Sequence, residues 1–352
     1  MPFRNAKALK IELLDCGSYF GMEKGCFVVK DREGKTQKYP LFESEVGEIQ
    51  IKSGNSISSG ALAACRFWGI DCLFLTQKGR PVAMLKSLDD DSHVNTRICQ
   101  YEALSNGKGF QIAKQLVLSK LEGQNRVLSK YGLKHHDFSV VEKVKNLETE
   151  DASKLRIRLM SVEGHFSEKY FNQILGLIPE SVRPDRRRTF KAYDGVNNIF
   201  NLAYEILSWK VHHALIKAKL EPYLGFLHSI AKGKPSLICD FQELYRYLID
   251  DFVIQYCREL NTRDFTVKSE DFSTKRKGKR EYLCDSQTHD FVKALTQFFQ
   301  SKIGMPRIRM GEQQEIETLI NEEALLFAKY LRNQKKEWIP RIGITQSEKT
   351  VA

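Results

Sequence analysis

Several protein classes are excluded by what the chain lacks. No apolar run approaches the ~20 residues that a bilayer-spanning helix needs, which excludes a transmembrane protein. The opening MPFRNAKALKIELLD has no long apolar segment ahead of its first acidic residues, so no secretory leader is expected. Only 9 Pro and 22 Gly occur in 352 residues, without a low-complexity tract, which leaves little room for a long disordered tail. The eight cysteines, at 16, 26, 65, 72, 99, 239, 257 and 284, include no C-x-x-C pair and no histidine at finger-like spacing. That argues against structural zinc. A chain of this length holds a core without disulfides, so free thiols in a reducing cytoplasm are expected. Acidic charge is also in deficit, 44 Asp and Glu against 55 Lys and Arg, for a net +11.

What is present is 42% hydrophobic residues, enough for real cores, in a length that predicts two domains. The basic excess points to a polyanionic partner, most often nucleic acid, although some basic enzymes have none. The first 90 residues carry +2 and the remainder +9, so the second part is expected to face that partner.

Residues 1–86 read as a small β-rich, sandwich-like domain. Leu9, Ile11 and Leu13 alternate with Lys10 and Glu12, and Ile49 and Ile51 alternate with Glu48, Gln50 and Lys52, the period of half-buried strands. CFVVK at 26–30 precedes a turn, and CLFL (72–75) and VAML (82–85) flank Lys78-Gly79 as a hairpin. Between them SISSGALAACRFWG has Ser caps and a closing Gly69, so one short helix is predicted. Residues 87–95 read as a polar linker. Residues 96–340 read as a larger all-α catalytic domain, with helices over about 94–121, 124–131, 150–174, 194–219, 236–260, 286–303 and 311–336, and 341–352 as a flexible tail. The fold class is therefore α+β. Two loops are strongly basic: 183–191, with Arg183, Arg186, Arg187, Arg188 and Lys191, and 275–280, opening with Lys275, Arg276 and Lys277. Such runs suit phosphate contacts, and equally a solvated face.

On the predicted helix around 154–171, Leu155, Leu159, Val162, Phe166 and Tyr170 form an apolar stripe with Glu163 at its edge. Glu163 has no basic residue three or four positions away, and Gly164 beside it leaves backbone bare for a close approach. A metal or phosphate site, or an Arg from another helix, would satisfy that carboxylate. Asp240, Glu243, Asp250 and Asp251 share one face of the helix from 237, which reads more readily as solvated than as functional. His228 lies near a turn in PYLGFLHSIAKGKPS. An imidazole and two carboxylates can hold a divalent cation with positions open for phosphate oxygens.

The run 193–253 resembles the core signature of the CRISPR-associated integrase family, often called Cas-one, the catalytic subunit of the spacer-acquisition complex. It has N-x-x-x-N-x-x-Y in Asn197, Asn201 and Tyr204, P-x-x-G-x-L-H ending at His228, and D-x-x-E-x-x-R at Asp240, Glu243 and Arg246. EGHFSEKYF, from Glu163 and Gly164 to Tyr170 and Phe171, and AKQLVLSKLEGQN are similar to two more of its elements. The departures are mild: Lys219-Leu220 stands for a usual Gly-Leu, Lys234 for a common Arg, and Phe241 and Gln242 replace more usual residues.

The resemblance implies metal ligands at Glu163, His228 and Glu243, binding Mg²⁺ or Mn²⁺. Asp240 would lie behind them or cap its helix, with Tyr170, Tyr204 and Asn197 nearby. It implies a β-domain that homodimerises, a small ferredoxin-like partner protein, and DNA as substrate, prespacer and repeat. The reaction implied is attack of a prespacer 3′-OH on the repeat by phosphodiester exchange. Two alternatives stay open: a metal-dependent, structure-selective DNA endonuclease using water, and a non-catalytic DNA-binding scaffold.

Overall fold

The computed structural model describes residues 9–41, 46–85, 92–136, 144, 152–190, 192–273, 276–304 and 313–341. The chain divides into two compact units, Met1–His93 and Val94–Ala352.

The first unit runs β1 (Leu9–Leu13), β2 (Tyr19–Glu23), β3 (Cys26–Lys30), β4 (Thr36–Pro40), β5 (Val46–Lys52), β6 (Ser56–Ile57), α1 (Ser59–Phe67), β7 (Asp71–Leu75) and β8 (Pro81–Leu85). Two four-stranded sheets result, ordered β1-β5-β7-β8 and β4-β3-β2-β6. Phe20 and Phe27 from one, Ile11, Ile49 and Cys72 from the other, and Cys65 from α1 share a single core. The Ser58 hydroxyl accepts from the amide of Ala61 and starts α1, as its sequence predicts. Central β5 pairs in parallel with both β1 and β7 and is buried on both faces. Its alternating polar residues are therefore inside too, and Gln50 Nε2 donates to Glu48 Oε1 at 2.7 Å.

The second unit contains α2 (Ser92–Glu102), α3 (Lys108–Lys130), α4 (Ala152–Ile174), α5 (Gly195–Lys217), α6 (Ser236–Gln242) and α7 (Arg246–Cys257). These are followed by β9 (Phe265–Ser273), β10 (Arg276–Leu283), α8 (Asp285–Gln300), β11 (Lys302–Gly304), β12 (Gln313–Glu315) and α9 (Ile316–Leu331). Helix α5 is the hub, with α6, α7, α9 and β10 packed on it. Its Ile199, Phe200, Ala203 and Leu207 enter one large apolar core with Phe241, Leu248, Phe291 and Phe327.

Four expectations change. The second unit is not all helical, because 265–283 forms an antiparallel hairpin and β11 pairs with β12. Arg276 and Lys277 thus lie on a strand rather than a loop; Lys275 lies outside the described residues. The 87–95 linker is shorter at its end, since α2 begins at Ser92; residues 86–91, like most of the 341–352 tail, lie outside the described residues. The first predicted helix is broken at 103–107, before Lys108, while α3 runs unbroken through Gly123. A Cβ on Gly123 would lie 2.5 Å from the Tyr247 ring, so this glycine lets α3 and α7 approach closely and does not mark an end. Finally, 236–260 is two helices, with Glu243 at the join.

Candidate active site

Asp240 organises one side of the site. It is 0 % exposed, sits in α6, and its Oδ2 accepts the backbone N–H of Phe226 at 2.5 Å and of Leu227 at 3.0 Å. Its Oδ1 accepts the backbone N–H of His228 at 2.8 Å and faces the His228 ring Nδ1 at 2.8 Å. An ionised carboxylate only accepts, so Nδ1 carries the ring proton and Nε2 is left as the basic nitrogen. A Cβ on Gly225 would lie 2.8 Å from Asp240 Oδ2, so glycine is what lets the turn close on the carboxylate. Asp240 does not cap its own helix: it binds the amides of a different segment.

Glu163 and Glu243 meet through a lysine. Lys120, on α3, forms an ion pair with Glu163 Oε1 and lies 2.7 Å from Glu243 Oε2. Arg246 Nη1 lies 2.7 Å from Glu243 Oε1. Glu243 is 3 % exposed. Burial works to raise its pKa, but Arg246 and Lys120, with His228 beyond them, outweigh burial and bring it down to about 2. The site therefore holds an anion in a nearly dry setting. Ser167 Oγ donates to Glu163 Oε1 at 2.9 Å. The partner that sequence spacing could not supply thus comes from another helix and is a lysine. Gly164, by contrast, has nothing within 4 Å of the position of a Cβ, so it serves no close approach.

Behind Glu243 lies a cleft of about 60 Å³ lined by Lys120, Phe171, Arg187, Tyr204, Arg246 and Asp250, among others. Tyr170 donates to Asp250 Oδ2 at 3.0 Å and Tyr204 donates to Asp250 Oδ1. Burial pushes Asp250 up to about 6, against those hydroxyls and the Arg246 and Arg187 charges. The Arg246 and Arg187 guanidiniums lie 4.8 and 5.3 Å from the Tyr204 ring centre. The face of Asp240, Glu243, Asp250 and Asp251 is therefore not solvated, since all four are buried. Asp251 takes Lys130 and the Tyr131 hydroxyl, each at 2.7 Å.

The basic 183–191 segment is only partly free for a partner. Arg183 donates to the carbonyls of Ile178 and Gly176, and Arg187 donates to Asn197 Oδ1 at 3.0 Å and Asn201 Oδ1 at 2.7 Å. Buried Asn197 also accepts the Arg188 N–H and donates to the Arg186 carbonyl, tying the segment to the start of α5. Arg186 is exposed, Arg188 is half-buried, and Lys191 lies outside the described residues. Of Arg276 and Lys277, only the strand backbone is described. Reasoning from residue types alone missed Lys120, Gln124, Ser167 and Arg246 as site residues; Lys120 and Gln124 do fall in the AKQLVLSKLEGQN element and Arg246 in D-x-x-E-x-x-R.

The donor set of Glu163, Glu243 and His228 suits a hard divalent cation. Buried Glu243 Oε2 makes no well-formed hydrogen bond despite its short approach to Lys120, and the ammonium already stands where positive charge is required. Among the described residues no three His, Cys, Asp or Glu side chains converge into a ready-made cage. A metal would therefore have to displace Lys120 from between the carboxylates. No helix of the described residues is long and apolar enough to cross a membrane.

The sequence profile of the family described as CRISPR associated protein Cas1 matches residues 13–288. "CRISPR-associated endonuclease Cas1 2" of Pyrobaculum aerophilum is 32% identical over 267 residues, covering 73% of this chain and 85% of that protein. A solved structure titled "Casposase bound to integration product" superposes with a TM-score of 0.68 at 19% identity, covering 94% of this chain and 97% of that one. Another, "Partial Cas6-RT-Cas1--Cas2 complex", gives a TM-score of 0.68 at 17% identity, with 95% and 98% covered. By the extent of the profile match and the identity to its relative, this chain belongs to the CRISPR-associated protein Cas1 family.

Proposed function

We propose that this protein is a metal-dependent DNA integrase of CRISPR adaptation, joining prespacer 3′-OH ends to the CRISPR repeat. The observation that carries the reading is the lysine-bridged pair of carboxylates, Glu163 and Glu243; His228, whose charge reaches Glu243, has its ring fixed by Asp240. Glu163, His228 and Glu243 would hold Mg²⁺ or Mn²⁺. When bound, such an ion polarises a phosphate oxygen and offsets charge that develops as one P–O bond forms and another breaks. Bond number is conserved, so no ATP is needed.

The chain's own groups supply the rest. Arg246 keeps Glu243 ionised, Asp240 keeps the proton on His228 Nδ1, and Lys120 provides a cation that can move from the carboxylates to a phosphate oxygen. Arg186 is placed for salt-sensitive phosphate contacts; a similar role for Arg188, Lys191, Lys275, Arg276 and Lys277 rests on their sequence. Supporting the DNA and partner assignments are the titles of the two similar structures, one bound to an integration product and one in a Cas1–Cas2 complex. We assign the homodimer contact to residues 1–86, a small ferredoxin-like protein as the second partner, and the prokaryotic cytoplasm as the location.

The relatives' name, endonuclease, favours a second reading in which water replaces the 3′-OH at the same residues. A strand-transfer assay with the partner protein, a supercoiled repeat plasmid and Mg²⁺ or Mn²⁺ separates the two. Joined strands support integration, and open 5′-phosphate and 3′-OH ends alone support hydrolysis. DNA binding without either product leaves the scaffold.

A further inference from the structure

Glu163 is the end of a hydrogen-bonded chain that runs through Ser167 and Gln124 to His136. Its Oε1 only accepts, so Ser167 spends its one hydroxyl hydrogen there, at 2.9 Å. Ser167 Oγ must then accept, and Gln124 Nε2 donates to it at 3.3 Å. That turns the Gln124 carbonyl the other way, where Oε1 lies 3.0 Å from His136 Nε2. A carbonyl cannot donate, so the imidazole does, and every donor in the chain has one direction.

His136 is fixed from several sides. It is buried, its backbone N–H donates to Asn125 Oδ1 at 2.8 Å, and its ring meets Phe166 edge-on at 4.9 Å. Burial, with Lys169 and His135, brings its pKa down to about 4, which keeps the ring neutral at working pH. Adjacent residues of α3, Gln124 and Asn125, thus anchor one histidine, and the Gln124–Ser167 bond carries the relay from α3 to α4.

We propose that His136, Gln124 and Ser167 are positioning residues that hold the Glu163 carboxylate in its metal-binding orientation, an inference that rests on Glu163 being a ligand. Ser167 keeps its bond to Oε1 when a cation takes the place of Lys120, so the carboxylate holds its orientation while its charge partner changes. Hydrogen-bonded partners behind a metal ligand change metal affinity about 10- to 100-fold when removed.

The test is calorimetric titration of the full-length protein with Mn²⁺ alone. Ser167→Ala should weaken Mn²⁺ binding at least about tenfold with an unchanged melting temperature, and Gln124→Met should weaken it in the same direction. Ser167→Thr, which restores a hydroxyl, should return affinity to within about twofold of the original, a rescue that general loosening of the helix would not produce. Glu163→Ala separates the two levels of the argument. If it loses Mn²⁺ while Ser167→Ala binds like the parent, the chain is refuted and the ligand reading survives. If Glu163→Ala binds Mn²⁺ like the parent, the ligand reading itself fails.

Discussion

Replacing Asp240 by Asn changes one atom, and the geometry makes that change expensive. The carboxylate presents two acceptors to four donors: the Phe226 and Leu227 amides on Oδ2, and the His228 amide and ring on Oδ1. An Asn offers one acceptor and one NH₂ group. Whichever way it turns, one pair of buried donors faces another donor. Each unsatisfied buried donor costs ~1–3 kcal/mol. The His228 ring can recover one contact by shifting its proton to Nε2, which leaves one buried donor unsatisfied, so about 2 kcal/mol is expected in total. For a unit of this size that is a fall in melting temperature of about 4–8 °C. The tautomer shift has a second consequence, because it removes the basic Nε2 that the proposed metal site would use. Thermal denaturation and Mn²⁺ titration of Asp240→Asn therefore read two results of one bond pattern. A melting temperature within a degree of the parent, with Mn²⁺ affinity retained, would refute the role given to Asp240.

Three further outcomes follow from other parts of the molecule. Arg186→Ala should reduce the slope of log K against log salt for duplex DNA by about 0.9 with little change in stability, whereas Arg187→Ala should cost about 2 kcal/mol in a denaturant melt, because it abandons Asn197, Asn201 and three aromatic faces. His136, whose pKa is depressed to about 4, adds stability that is complete above its unfolded value near 6.5 and is lost as the pH falls toward 4; His136→Gln should flatten the melting-temperature profile in that window, and an unaltered profile would contradict the burial argument. Sedimentation of residues 94–352 should show monomer if the first unit carries the dimer contact, since its small sheets leave edges to cover; an undiminished dimer would reassign the contact to the helices.

The strands of the first unit were legible where polar and apolar residues alternate, as in β1, and where an apolar run meets a turn, as at CFVVK, which is β3 residue for residue. YFGME and TQKYP, which became β2 and β4, carry too little alternation to stand out. The hairpin of β9 and β10 was hidden because RKGKREYL is mostly charged, so that 275–280 read as a basic loop, and FTVKSEDFS has no sustained alternation. Its base is set by tertiary contacts instead: Glu281 accepts the Gly195 N–H, and its own N–H binds the Tyr193 carbonyl. Periodicity brought Glu163 to notice, at the edge of its apolar stripe, but it placed Glu243 on a continuous helix beside solvated acids; the family motifs drew Glu163, His228 and Glu243 together. Lys120 lies 43 residues from Glu163, and a pairing of that separation has no local signature. Asp240 reads as a helix cap or a lesser partner of Glu243, so Asp240→Asn looks mild from sequence; only the turn at 225–228 shows how many donors it serves.

If Glu163 serves a metal-dependent strand-transfer centre, as proposed, removing its carboxylate abolishes joining. Glu163→Ala is compared with the parent protein on prespacer DNA and a supercoiled repeat plasmid, with the partner protein and Mn²⁺. Circular dichroism confirms that both are folded, as expected for a partly exposed side chain at the edge of the apolar stripe of α4 that contributes little packing. The parent should join strands and the variant should give no joined product while still binding DNA. Joining by folded Glu163→Ala at the parent's rate would contradict the account.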